Sequence, residues 1–133
     1  MSLSSMLSIS ASGMNAAATR LEASAGNIAN VRSSGPLPDA SGATTAYAPV
    51  TVTQSDVRGG GVAARIVQAA DPYVAAYDPA SPDADDKGMV AAPNVDMAGE
   101  LVNVMTARLS YQASAKTMKV ANDMLKTTLD AFS

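Results

Sequence analysis

Apolar side chains recur every seven residues near both ends of the chain. The N-terminal run consists of Leu7, Met14, Leu21 and Ile28, and the C-terminal run consists of Val104, Tyr111, Met118, Leu125 and Phe132. A seven-residue repeat keeps one stripe of a helix directed at a neighbouring helix, as it does in a coiled coil. The two runs therefore predict two long helices, over residues 4–30 and 95–131, that pack on each other along these seams.

The second helix is preceded by residues that are typical of a helix N-terminus. Pro93 stands just before it, and either Asn94 or Asp96 can accept hydrogen bonds from its first amide groups. Glu100 follows within the first turns, near the positive end of the helix dipole. We therefore expect the helix to begin at about Val95.

The N-terminal helix carries very little charge. Between residues 1 and 30 the only charged side chains are those of Arg20 and Glu22, and the face opposite the seam consists of Ala, Ser, Thr and Asn. A helix with one face in water normally carries more charge than this. The composition of this face is therefore not typical of a helix left in solvent.

Methionine is abundant on both predicted helices. Met14 and Met118 lie on the seams, where we expect them to fill the core. Met6, Met105 and Met124 lie off or beside the seams, and flexible thioethers suit an interface with non-identical neighbours. These three methionines are predicted to contact other molecules.

The middle of the chain, residues 33–93, is richer in Gly, Pro and Asp and contains short β-prone runs. The runs cover residues 46–53, 62–68 and 73–77. Gly59, Gly60 and Gly61 join the first two runs, which is typical of a hairpin loop. This part of the chain is therefore predicted to contain a small β-hairpin.

The chain is thus predicted to be mainly α-helical and to have three parts. Residues 1–32 and 94–133 contain the two helices, paired as an antiparallel coiled coil, and residues 33–93 form a loop and small β insert between them. Aromatic residues make up only 4% of the chain and Trp is absent, so few large side chains are available for a core. We expect that core to be thin.

The composition excludes much of enzyme chemistry. The chain has no His, the commonest general base and metal ligand, and no Cys, so it has neither a thiolate nor a disulfide framework. Its carboxylates form no pair at a spacing that would bring an acid and a base together. We predict no enzyme activity, no catalytic or metal-binding residues and no cofactor.

The run PDADDKGMVAAPN is the strongest metal-like pattern. Asp83, Asp85 and Gly88 fall at the first, third and sixth positions of a calcium loop. Position five is Lys87, whose charge opposes a cation, and position twelve is Asn94 instead of a bidentate Glu. The run is therefore predicted to be a solvated acidic turn.

The charge distribution favours a protein partner. The net charge is −3 and the basic residues are scattered, which argues against nucleic acid or an anionic membrane as the main partner. The N-terminal segment has neither a basic region nor an unbroken apolar run. We therefore predict neither a cleaved signal peptide nor direct insertion into a membrane.

Two segments resemble those shared by bacterial flagellar rod and hook proteins. The segment SAGNIANVRSSG, residues 24–35, contains the pattern A-x-N-[LI]-A-N, in which Asn27 and Asn30 are the two amides. The segment PNVDMAGELVNVMTARLSYQAS, residues 93–114, resembles the second shared segment. With the order of residues 77–96 and the length of 133, the chain is identified as a member of the flagellar basal-body rod protein family, most similar to a proximal rod protein.

The resemblance implies a structural subunit of the flagellar basal body. Subunits of this family are exported without cleavage by the flagellar type III apparatus. They stack helically through their terminal helices in the periplasm and transmit torque. The implied partners are copies of the chain itself, other rod proteins and the export apparatus. A nearly uncharged N-terminal helix fits such a tube, because neighbouring subunits enclose it.

The family segments also contain the residues that we expect to support assembly. They are Asn27, Asn30, Pro93, Asn94, Val95, Asp96, Glu100 and Arg108. The two amides are interpreted as architectural, with Asn27 bracing the loop or a neighbouring helix where the first helix ends. Two alternatives stay open: another rod or hook subunit, and a cytoplasmic helical adaptor or chaperone of export.

Overall fold

The computed structural model describes residues 2–131, so Phe132, the last member of the predicted C-terminal seam, lies outside the described residues. The elements are α1 (Leu3–Asn30), β1 (Val50–Asp56), β2 (Val62–Gln68), β3 (Tyr73–Tyr77), β4 (Met89–Pro93) and α2 (Met97–Asp130). The predicted arrangement of two long terminal helices with a β insert between them is confirmed. Strand β4 is not among the predicted elements, because its sequence contains two Ala and ends in Pro and so has little β propensity.

Side chains cap both helices at their N-termini. Ser2 precedes α1, and its hydroxyl oxygen accepts a hydrogen bond from the backbone N–H of Ser5 at 3.2 Å. Asp96 caps α2 in the same way, accepting from the N–H of Ala98 at 3.1 Å. Of the two predicted capping residues, Asp96 therefore has this role, and Glu100 places a negative charge in the first turn of α2.

The two helices pack along each other in opposite directions. Near the C-terminal end of α1, Asn27 donates a hydrogen bond to the carboxylate of Glu100 in the first turn of α2. Nearer the N-terminal end of α1, a Cβ added to Gly13 would lie only 2.6 Å from the hydroxyl oxygen of Ser114. Small side chains at the contact permit this approach, since they set the distance between helix axes.

Small side chains also fill the centre of the helix–helix contact, which differs from the predicted seams. Ser10, Ala17 and Ser24 are buried on α1, and Ala107 and Ala121 are buried on α2. On each helix these residues follow the predicted seam residues by three positions. The contact therefore keeps the seven-residue period. Its centre is formed by the small residues instead of the large seam residues, because two backbones this close leave no room for large side chains.

The large apolar residues of the predicted seams flank this centre. Six of them are half-buried: Leu7, Met14, Ile28, Val104, Met118 and Leu125. Leu21 and Tyr111 are 43% and 47% exposed. Positions three apart are neighbours on a helix surface, so the large and small stripes of each helix lie side by side.

Strands β1 and β2 form an antiparallel hairpin that lies along α1. Every residue of β1 has a partner in β2. Near the tip of the hairpin, the N–H of Val62 donates to the hydroxyl of Ser12 at 3.2 Å, and at its base Val50 hydrogen-bonds with Asn27. The length of β1, about 23 Å, matches the distance of about 22 Å along α1 between Ser12 and Asn27.

Strands β3 and β4 form a second antiparallel pair over their whole lengths. In β4, Val90 and Ala91 are 2% and 0% exposed. Ala91 exchanges two backbone hydrogen bonds with Gly35, of 3.1 and 2.8 Å. A Cβ at Gly35 would lie 2.8 Å from the Cα of Ala46, so the close passage of two backbones requires glycine here.

The buried apolar side chains of the described residues are small. Besides the prolines Pro49 and Pro93, they are Ala16, Ala17, Ala23, Ala46, Val90, Ala91, Ala107 and Ala121. Hydrophobic stabilisation is about 25 cal/mol per Å² of buried apolar area, so each of these alanines contributes little. Within residues 2–131, neither helix combines the length and the hydropathy needed to cross a lipid bilayer.

Candidate assembly site

The side-chain amide of Asn27 is the centre of a buried hydrogen-bond network. Only 2% of Asn27 is exposed. Its Nδ2 donates to the carbonyl oxygen of Val50 at 2.8 Å and to Oε1 of Glu100 at 2.6 Å. Its Oδ1 accepts from the hydroxyl of Tyr47 at 3.0 Å and from the N–H of Val50 at 2.9 Å. The amide thus uses both donors and both acceptor positions.

This network joins the two helices to the start of the insert. Asn27 belongs to α1, Glu100 to α2 and Val50 to β1. Because the amide bonds both backbone groups of Val50, it acts as a strand partner at the first residue of β1. The predicted bracing role therefore has a defined geometry, which we term the Asn27 junction.

Tyr47 and Glu100 are polar but partly enclosed at this junction. Burial of the phenol, and then the negative charge of Glu100, raise the pKa of Tyr47. The second oxygen of Glu100, Oε2, accepts from Nδ2 of Asn103 at 3.3 Å. A cavity of about 100 Å³ adjoins these groups, which is small beside the roughly 300–1,000 Å³ of ordinary ligand sites.

Tyr47 and Val50 could not be assigned to this network from motif spacing, because neither belongs to the family segments. A weak signal does exist in the sequence. Tyr47 is the only aromatic residue before position 73, and a buried Tyr usually places its hydroxyl against a hydrogen-bond partner.

The second amide of the motif has a local role. Nδ2 of Asn30 donates to the carbonyl oxygen of Gly26 at 2.8 Å, within the last turn of α1. The carbonyl oxygen of Asn30 accepts from both the N–H and the hydroxyl of Ser33, at 2.9 and 2.7 Å. Asn30 therefore closes the end of the helix, whereas Asn27 joins separate elements.

The predicted residues between β4 and α2 lie in a tight connection. Pro93 is buried at the end of β4, and Val95 is half-buried. Asn94 donates from Nδ2 to the carbonyl oxygen of Asp71 at 3.0 Å and from its N–H to that of Pro72 at 2.9 Å. These bonds fix the chain immediately before the Asp96 cap, and so they set the direction in which α2 begins.

Large apolar side chains protrude from the outer face of α2. Val102, Met105 and Leu109 are 60%, 70% and 68% exposed, and we term these three residues the α2 ridge. Of the other methionines predicted at interfaces, Met124 is 50% exposed further along α2 and Met6 is half-buried. Exposed apolar side chains that cluster in this way mark interaction surfaces.

An apolar groove of about 470 Å³ runs between α1 and α2, and we term it the helix groove. It is lined by Ala17, Ala18, Leu21, Val104, Ala107, Arg108, Tyr111 and Gln112. It thus brings together three predicted seam residues, Leu21, Val104 and Tyr111. The predicted assembly residue Arg108, together with Gln112, also borders the α2 ridge. Groove and ridge are therefore adjacent on α2.

The acidic run between β3 and β4 is a hydrogen-bonded turn. Oδ1 of Asp85 accepts from the N–H groups of Met89 and Lys87, each at 2.8 Å. These backbone hydrogen bonds lower the pKa of Asp85. In the part of the chain that the structure describes, no group of three or more His, Cys, Asp or Glu residues is placed to hold a metal ion.

Known flagellar proteins match this chain along its length. The family model described as Flagellar basal body rod FlgEFG protein C-terminal matches residues 86–131, which include β4 and α2. The flagellar basal-body rod protein FlgC of Escherichia coli O6:H1 is 35% identical over 130 residues, which cover 97% of both chains. The chain belongs to the FlgC family of flagellar basal-body rod proteins.

Two further FlgC proteins show the same degree of similarity. That of Salmonella typhimurium is 34% identical and covers 97% of both chains. That of Agrobacterium fabrum is 34% identical and covers 96% of this chain and 94% of its own. These matches confirm the resemblance to flagellar rod proteins that residues 24–35 and 93–114 predict.

Proposed function

We propose that this chain is a structural subunit of the flagellar basal-body rod that assembles helically through α1 and α2 and transmits torque. Membership of the FlgC family and the exposed apolar surface of α2 support this proposal. A helix that leaves several large apolar side chains in solvent gains hydrophobic stabilisation when a neighbouring subunit covers them.

In this proposal residues 1–32 and 94–133 form the assembly core, and the helix pair acts as a short antiparallel coiled coil. Buried Ala and Ser at heptad spacing hold its centre, and the larger predicted seam residues contribute packing at its sides. The Asn27 junction fixes the insert on the helices, so that subunits of one shape can stack. Arg108 lies on the outer surface and contributes to contacts between subunits.

The proposed partners are other copies of the chain, other rod proteins and the flagellar type III export apparatus. The proposed location is the periplasmic rod, reached without cleavage of the N-terminal segment. No catalytic step is part of the role, because the Asn27 junction is filled by its own hydrogen bonds and presents no convergent acid, base or nucleophile.

The test is whether a tagged chain co-purifies with detergent-extracted hook–basal bodies from its own host. We expect recovery in that particle, and loss of recovery in a matched strain whose flagellar export is disabled. Sequencing of the N-terminus in the recovered protein should show it uncleaved. A cytoplasmic pool that is unaffected by the export block would contradict the proposal and favour an export adaptor.

A further inference from the structure

The cavity of about 100 Å³ beside the Asn27 junction lies between α1, β1 and α2, and we term it the polar cavity. Each of these elements contributes to its lining, which consists of Arg20, Ala23, Ser24, Val50, Thr51, Val52, Glu100 and Asn103. Residues 20, 23, 24 and 27 have the spacing of neighbours on one side of a helix. The polar cavity therefore continues from the junction along the same face of α1.

The hydroxyl of Ser24 needs a partner that this cavity can supply. Only 4% of Ser24 is exposed, yet within residues 2–131 its hydroxyl makes no hydrogen bond. Every fully enclosed side-chain oxygen of these residues does have a partner, so the oxygen of Ser24 still adjoins accessible space. The polar cavity is the space that Ser24 lines. A buried hydroxyl without a partner is costly, so a polar molecule is expected on this side of it.

The charges around the polar cavity restrict the kind of molecule that can enter. Arg20 and Glu100 line it with opposite charges, and the remaining lining residues are uncharged. Among the described residues Arg20 makes no ion pair, so its guanidinium and the carboxylate both face the cavity without direct contact. Arg20 repels a cation there and Glu100 repels an anion. A neutral molecule that can both donate and accept hydrogen bonds meets neither obstacle.

The size of the polar cavity further restricts this molecule to water. At roughly 30 Å³ per molecule, the cavity holds about three waters. A bound water requires about two to four polar partners, and the cavity offers the hydroxyl of Ser24 and the guanidinium of Arg20. It also offers Oε2 of Glu100, which accepts one hydrogen bond, from Asn103 at 3.3 Å, and has capacity for another.

We propose that the polar cavity is a hydration site, in which bound water pairs with the hydroxyl of Ser24 and links the guanidinium of Arg20 to the carboxylate of Glu100. The water accepts from Arg20 and donates to Glu100. Hydrogen bonds through water are nearly as favourable as direct ones. The site thus adds a second link between α1 and α2, next to the direct bond from Asn27 to Glu100. It belongs to the single subunit and does not depend on the proposed function.

Oxygen-17 magnetic relaxation dispersion tests this site in the full chain, because it counts water molecules that stay bound for longer than the protein takes to tumble. Ser24→Val replaces the hydroxyl with a methyl group, and Ser24→Thr is the matched control, since it has the same shape and keeps a hydroxyl. We expect the Val variant to hold about two fewer long-lived waters than the Thr variant. Circular dichroism would check that both variants keep the two helices.

The stabilities of the same two variants give a second readout. A hydroxyl that binds water favours Thr over Val, so the unfolding equilibrium constant of Ser24→Val should be about fivefold larger than that of Ser24→Thr. Adding Arg20→Met to both variants removes another partner of the water. The difference should then fall to about twofold, because residues that share a hydrogen-bond network are coupled in stability.

Three results would overturn the proposal. Equal numbers of long-lived waters in the Val and Thr variants would show that the hydroxyl of Ser24 holds none. Broadening of the chlorine-35 signal of chloride by the native chain, abolished by Arg20→Met, would assign the cavity to an anion. A difference in stability between Thr and Val that Arg20→Met leaves unchanged would confine the role of the hydroxyl to α1 itself.

Discussion

At the scale of single residues, Asn27 shows how one buried amide can determine the relation of three elements. Its side chain makes four hydrogen bonds, with Tyr47, Val50 and Glu100. In the described residues no buried side-chain nitrogen or oxygen lacks a partner. A complete network of this kind favours one arrangement of the helices and the insert, because any other would leave buried polar groups unpaired.

Replacing Asn27 should therefore destabilise the chain strongly. Asn27→Ala removes the hydrogen bonds to both backbone groups of Val50, to the hydroxyl of Tyr47 and to Oε1 of Glu100, and we expect a loss of about 3 kcal/mol in the free energy of unfolding. Asn30→Ala is the matched control, since it removes only a bond within α1 and should cost about 1 kcal/mol or less. Urea unfolding followed by circular dichroism measures both values, and equal losses would contradict the assignment of different roles to the two amides.

The Asn27 junction also predicts a dependence on alkaline pH. Burial and the charge of Glu100 raise the pKa of Tyr47 above its usual value of about 10. The contribution of the neutral phenol is fully present below the unfolded-state pKa and is lost as pH rises through the higher folded-state pKa. The urea midpoint of the native chain should therefore fall more steeply above pH 10 than that of Tyr47→Phe, and identical slopes would contradict the prediction.

At the scale of elements, the β1–β2 hairpin depends on its tip for contact with α1. Gly61 has a φ of +103°, and a Cβ there would lie 2.6 Å from the hydroxyl oxygen of Ser12. Gly59 has nearly the same φ, +99°, but a Cβ there would meet nothing within 4 Å. Substitutions at these two glycines therefore distinguish the effect of backbone strain, which both positions share, from the effect of the contact with α1, which of the two only Gly61 makes.

Gly61→Ala should destabilise the chain more than Gly59→Ala does. Both variants carry similar backbone strain, but only the first disturbs the bond between Val62 and Ser12, so we expect a difference of about 1 kcal/mol. Urea unfolding gives the difference, and tryptic cleavage after Arg58 should be faster in the Gly61 variant. Equal stability of the two variants would show that the hairpin tip does not contribute to its attachment.

The sequence predicted these elements better than it predicted their contacts. Heptad spacing identified both helices, and the three glycines marked the hairpin loop, because both signals depend on local periodicity or backbone conformation. It did not identify β4, whose strand is set by pairing with β3 and by the bridge from Ala91 to Gly35. It also placed large residues at the centre of the helix contact, because periodicity alone does not reveal how closely two backbones approach.

At the scale of the whole molecule, the buried apolar side chains are small and many of the large ones are exposed. Apart from two prolines and Val90, the buried apolar residues are alanines, whereas most of the exposed large apolar side chains belong to α2. An isolated subunit therefore buries little apolar area per residue and leaves much that a neighbour can cover. The stability of such a subunit is expected to increase when neighbouring subunits bind, because binding stabilises the folded state.

Ala18→Asp tests this dependence on neighbours. Ala18 is exposed and lines the helix groove, so an aspartate there is solvated in the free subunit and becomes a buried, unpaired charge when a neighbour covers the groove. We expect near-normal export but at least about tenfold less chain in purified basal bodies, a change of about 1.4 kcal/mol or more.

Ala63→Asp, on the exposed face of β2, is the control and should enter basal bodies normally. Equal incorporation of the two variants would show that neighbours do not cover this face of α1, since the same charge would then remain in water at both positions.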